Sequence, residues 1–145
     1  MLVNNRWIRA SGELNDKPIS IQYREDWQQA AAYDALNICV QIAWQAESRD
    51  ESTGFPSDAE QLRILAFSEQ LQQMLEPGEN AVVAMVIAHD GVNQWIIYCK
   101  DLQPLKDGLD KIPATDAGYP IEVVADEDPH WQIFQQVYDA IRQQH

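Results

Sequence analysis

The chain has 145 residues, 46% of them apolar, which is enough for one hydrophobic core and too few for two ordinary domains. Its 23 Asp and Glu against 10 Lys and Arg leave a net charge of −13, a field that repels phosphate backbones and argues against nucleic-acid binding. No apolar run reaches membrane-spanning length and the opening MLVNNRWIRA lacks the unbroken apolar segment of a secretory signal, so a single cytoplasmic domain over 1–145 is expected, with no membrane contact.

RWIRASGELNDKPISIQY (6–23) places two strand-like runs around a turn-rich middle, and Ile19, Ile21 and Tyr23 alternate with Ser20 and Gln22, which predicts a β-hairpin. REDWQQAAAYDA (24–35) has helix-favouring Gln and Ala but no long amphipathic stripe and reads as a connection with room for one helical turn. In LNICVQIAWQ (36–45), Leu36, Ile38, Val40, Ile42 and Trp44 occupy every second position, with Asn37, Gln41 and Gln45 opposite, as in a strand with one side in the core.

AESRDESTGFP (46–56) is a polar loop with Gly54 and Pro56, expected to be the most mobile segment. Ser57 and Glu60 have capping-box spacing at the head of 57–75, where Ile64, Phe67, Leu71, Met74 and Leu75 form one helical stripe. NAVVAMVIAHDGVNQWIIYCKD (80–101) holds two β-rich runs around a turn at 90–93, an antiparallel hairpin. LQPLKDGLDKI (102–112) keeps Leu102, Leu105, Leu109 and Ile112 at helical spacing, and YPIEVVA (119–125) reads as the last strand.

ADEDPHWQIFQQVYDA (125–140) begins with three acids, Asp126, Glu127 and Asp128. Asp128-Pro129 suits an N-cap followed by the first helical position, and Trp131, Phe134, Val137, Tyr138 and Ile141 then recur on one face. Asp126 and Glu127 are expected beside the positive helix end.

The expected fold is therefore α+β: an N-terminal β-hairpin, a ferredoxin-like β-α-β-β-α-β core over 36–125, and a C-terminal helix. In its antiparallel sheet the strand at 36–45 should lie between those at 94–100 and 119–125. Helices on one face would leave the other face or an edge for a partner.

The ordered series of residues resembles a bacterial family of uncharacterised proteins, domain of unknown function 695. The matching features are Trp7, Asp16-Lys17-Pro18 before the Ile19/Ile21 strand, Gly54-Phe55-Pro56 ahead of the Glu60-to-Leu75 helix, Trp95 to Tyr98, and Asp128-Pro129-His130-Trp131. The resemblance covers nearly the whole chain. It implies a fold and no catalytic residues.

No catalytic, cofactor-binding or metal site is expected. The acids at 126–128 with His130 lack the alternating pattern of a calcium loop. His89-Asp90 reads as a surface histidine beside a turn aspartate. Cys39 and Cys99 have no adjacent base, and their registers put them on opposite sides of the sheet as unpaired thiols. What remains is a non-catalytic interaction or regulatory module, and the charge permits it to dock a basic protein partner through Glu47, Asp50, Glu51, Asp126 and Glu127. The alternative is an enzyme or small-ligand binder, which would show a pocket with two or more converging polar side chains.

Overall fold

The computed structural model describes residues 7–14, 16–24, 36–48, 50, 54–75, 81–111 and 121–143. In chain order these form β1 (Trp7–Leu14), β2 (Lys17–Arg24), β3 (Ile38–Gln45), α1 (Asp58–Leu75), β4 (Ala81–His89), β5 (Val92–Cys99), α2 (Leu102–Lys111), β6 (Ile121–Glu127) and α3 (Gln132–Gln143). The six strands make one sheet in the order β1-β2-β4-β5-β3-β6, antiparallel throughout. As expected, β3 lies between β5 and β6, and the hairpin β1-β2 extends the sheet beyond β4, so the six-strand order departs from a simple ferredoxin-like sheet. The connection at 25–35 lies outside the described residues.

Alternation along the strands divides the core in two. Val40, Ile42 and Trp44 of β3 and Trp95, Ile97 and Cys99 of β5 pack with Ile64, Phe67 and Leu71 of α1 and Leu105 of α2. Cys39, Ile96 and Tyr98 point the other way, to Trp131 and to Phe134 of α3. The second face, which the sequence offered to a partner or a cover alike, is therefore covered by the C-terminal helix. The cysteines fall on opposite faces, both buried and free, as their registers required.

β4 serves both halves by means of a bulge. Its pairing with β5 shifts between Val83 and Met85, so odd positions face α1 and α2 before the bulge (Ala81, Val83) and face α3 after it (Met85, Ile87). Arg24 is fully buried beside this irregularity, where its Nε donates to the Val83 carbonyl at 3.0 Å and its guanidinium lies 4.1 Å from the Trp7 ring centre.

The entry to α3 differs from the simple cap expected. β6 runs on through Asp126 and Glu127, which pair with Cys39 and Ile38; these acids belong to a strand and not to a helix start. Pro129 and His130 form a turn, Trp131 takes a left-handed φ of 56°, and the helix begins at Gln132. Asp128 still caps it, across the turn: its carboxylate accepts from the Gln132 and Ile133 amides, each at 2.9 Å, and from the Tyr98 hydroxyl at 2.8 Å. Tyr98 in turn accepts from the Phe134 amide at 3.2 Å and stacks on Trp131, ring centres 4.0 Å apart, while the Trp131 indole donates to the Leu36 carbonyl.

Removing this carboxylate loses a helix cap, worth about 1 kcal/mol, and strands the buried Tyr98 hydroxyl, worth about 1–3 kcal/mol. Asp128→Ala should accordingly lose about 2–4 kcal/mol in urea unfolding, whereas Asp126→Asn with Glu127→Gln, on an exposed strand, should change stability by under about 0.5 kcal/mol.

Candidate functional site

The N-terminal end of α3 is pinned at Asp128, and its C-terminal half stands over the far ends of β2, β4 and β5. Ile21, Ile87 and Gln94 pair across these strands in one row, and Ile19, His89 and Val92 pair in the next. Both rows face α3, because the bulge has already turned β4. Between them and Gln136, Val137 and Ala140 of the helix lies a cavity of about 600 Å³, to which Glu13 and Asp90 also contribute. Its walls are mainly apolar, and its size is that of a small-molecule site.

Several of its polar groups are held in place from behind. The Gln94 amide donates to Gln41 Oε1 on the neighbouring strand, which fixes the amide in the floor. Asp90 and Gly91 form a two-residue hairpin turn with φ of 46° and 81°, so β5 starts at Val92 and the turn is tighter than the 90–93 span expected. Gly54, itself at φ 78°, packs on that turn so closely that a Cβ would lie 2.8 Å from Asp90 Cα, and Ala46 N donates to Gly91 O at 2.7 Å.

The described parts of the loop at 46–56 are thus tied to the Asp90-Gly91 turn through Ala46 and Gly54. Glu60 completes the anchor. Its side chain is 4% exposed, and its carboxylate accepts from Trp44 Nε1, from the Glu47 and Ser48 amides, and from the Ser48 hydroxyl. The Ser57 hydroxyl accepts from Glu60 N, as a capping box requires, but the glutamate is turned to the loop and not back to Ser57. Burial alone would raise the Glu60 carboxyl; the hydrogen bonds outweigh it and hold the group down at about 2.

The thiols are chemically quiet. Burial is the main cause that pushes Cys39 up to about 12, against an opposing hydrogen bond with Tyr98, and Cys99 up to about 11. Among the described residues no group of three or more His, Cys, Asp or Glu side chains is placed to hold a metal ion, and no helix is long and apolar enough to cross a membrane.

The acids expected to dock a partner do not converge. Asp126 and Glu127 flank the start of β3, whereas Glu47 and Asp50, both exposed, follow its end, roughly 25 Å away along the strand; Glu51 lies outside the described residues. The cavity draws instead on residues that sequence reasoning set aside or missed. His89 is half-buried in its wall, and Ile87, Gln94 and Gln136 carried no signal of a site in the sequence. The signal for β4 is its unbroken apolar run, 81–88, in which a change of face is invisible.

Because the Glu60 carboxyl is lowered on folding, its ionisation stabilises the protein above the ordinary carboxylate range and the contribution is lost as pH falls from about 5 through about 2. Glu60→Gln should lower stability by about 2–4 kcal/mol at neutral pH. The deficit relative to the parent should shrink toward zero near pH 2, as read from urea midpoints across the pH series.

None of the curated proteins and none of the solved structures matches the chain. Residues 5–138 match the family of unknown function DUF695, and the protein belongs to that family.

Proposed function

We propose that this protein is a binding domain whose cavity beneath α3 takes a small amphipathic molecule. The apolar body of the ligand lies on Ile19, Ile21, Ile87, Val92 and Val137, and its hydrogen-bonding end meets His89, Gln94 and Gln136. The observation that carries this reading is the convergence of these polar side chains from three elements on one cavity of about 600 Å³. Of the two functional classes the sequence admits, that convergence favours the ligand-binding one.

The reading treats β4-β5-β3-β6 with α1 and α2 as a ferredoxin-like unit, to which the hairpin and α3 are additions that build the cavity. The order of these four strands supports it, as does the packing of both helices on one face. A cytoplasmic setting suits the two buried free thiols.

Octanol, octylamine and octanoate test the reading, as neutral, cationic and anionic probes with a common apolar body. At least one should perturb the backbone resonances of Ile19, Ile87, Val92 and Gln94, and at ten times its Kd should raise stability by about 1.4 kcal/mol. Val137→Trp or Ala140→Leu should fill the space and abolish both effects while leaving the circular dichroism spectrum intact. If all three probes leave these resonances unmoved, or bind the filled variants equally well, the cavity is only a packing defect.

A further inference from the structure

Among the described residues β6 is an edge of the sheet, hydrogen-bonded to β3 on one side only. In such a strand the N–H and C=O groups of alternate residues point away from the neighbour and offer pairing to another chain. Natural edges are commonly blunted by lysine, proline or a bulge. β6, IEVVADE, has neither residue, and its register against β3 runs unbroken from Ile121 to Glu127. Val123 and Val124 at its centre are 45% and 53% exposed. Glu122, Val124 and Asp126 share one face, and the strand contains no Lys or Arg.

This pattern selects the occupant. In an antiparallel pair of two β6 strands centred on Val124, Glu122 would sit opposite Asp126 at both ends, and in a parallel in-register pair each acid would face itself. Like charges directly opposite are destabilising, so a second copy of the chain is a poor fit, and a net charge of −13 adds to the repulsion. The opposite edge differs: β1 carries Arg9 as well as Glu13.

We propose that β6 is the docking edge for an extended segment of a basic protein, which adds to the sheet as a seventh strand. Two basic residues separated by three positions meet Glu122 and Asp126, and an apolar residue midway between them covers Val124. The backbone pairing supplies the contact and the charges select the segment and its register. Of the five acids expected to bind a partner, Asp126 takes part directly and Glu127 extends the edge; Glu47 and Asp50 are too far along β3 to join. The proposal is independent of the cavity.

The blocked peptide Thr-Lys-Thr-Val-Thr-Lys-Thr is the probe, compared with the same peptide N-methylated at alternate amides and with one carrying Glu in place of Lys. The unmodified peptide should slow hydrogen exchange within 121–127 and bind more weakly as salt is raised. N-methylation, the Lys-to-Glu exchange in the peptide, and Glu122→Lys with Asp126→Lys in the protein should each reduce affinity about tenfold or more, and the reversed protein should prefer the Glu peptide. Equal binding of the N-methylated peptide reduces the contact to charge alone and overturns strand addition. Equal binding of the Glu peptide, protection confined to other segments, no binding at about 1 mM, or a dimer whose β6 amides are already protected each overturns the proposal as well.

Discussion

The hydrogen bond from the buried Tyr98 hydroxyl to Asp128 joins the middle of the sheet to the helix that closes its second face. Tyr98 lies on β5, flanked by apolar residues that face both ways, so neither side of the sheet can remain wet without exposing core. α1 and α2 cover one side. The other depends on α3, a helix of 12 residues, which is too short to be stable in water by itself. Burial pushes the Tyr98 hydroxyl well above its ordinary range, so it stays protonated and donates. Asp128 spends its remaining acceptor capacity on the first amides of the helix, and the stack of Trp131 on Tyr98 fills the space beneath. Trp131 is held at φ 56°, a conformation that a large side chain adopts only when its surroundings over-determine it.

Much of this was legible in order of residues. The alternation of Ile38, Val40, Ile42 and Trp44 locates β3 and its buried side, and the stripe Trp131, Phe134, Val137, Tyr138 locates α3. Asp128 is recognisable as a cap. What escaped was set by contacts distant in the chain. Asp126 and Glu127 look like helix-entry acids, but pairing with Cys39 and Ile38 draws them into β6. Glu60 has the spacing of a capping box, yet Trp44, 16 residues earlier, supplies a stronger reason for its position. The bulge in β4 lies in a run apolar on both faces, where one inserted residue leaves no mark in hydrophobicity, and the cavity follows from it. Gly54 and Pro56 announced a loop, but not that the loop would be fastened by Glu60 and the Asp90 turn.

The same architecture separates two surfaces with different chemistry. The cavity lies between the C-terminal half of α3 and the strands β2, β4 and β5. β6 lies across the sheet, beyond β3, and presents backbone and acid. The first requires α3 to stay docked, since Gln136, Val137 and Ala140 form one wall; the second requires only that β6 stay paired to β3.

Tyr98→Phe is the most direct test of the dependence of α3 on its lock, because it deletes one oxygen and leaves the ring, the stack and the core volume in place. Hydrogen exchange under native conditions should show the amides of α3 losing protection by about tenfold, corresponding to about 1.4 kcal/mol, while those of β4 and β5 keep theirs. Unchanged protection of α3, or a loss spread evenly over helix and sheet, would contradict the assignment of the Tyr98–Asp128 bond as the contact that holds the second face closed.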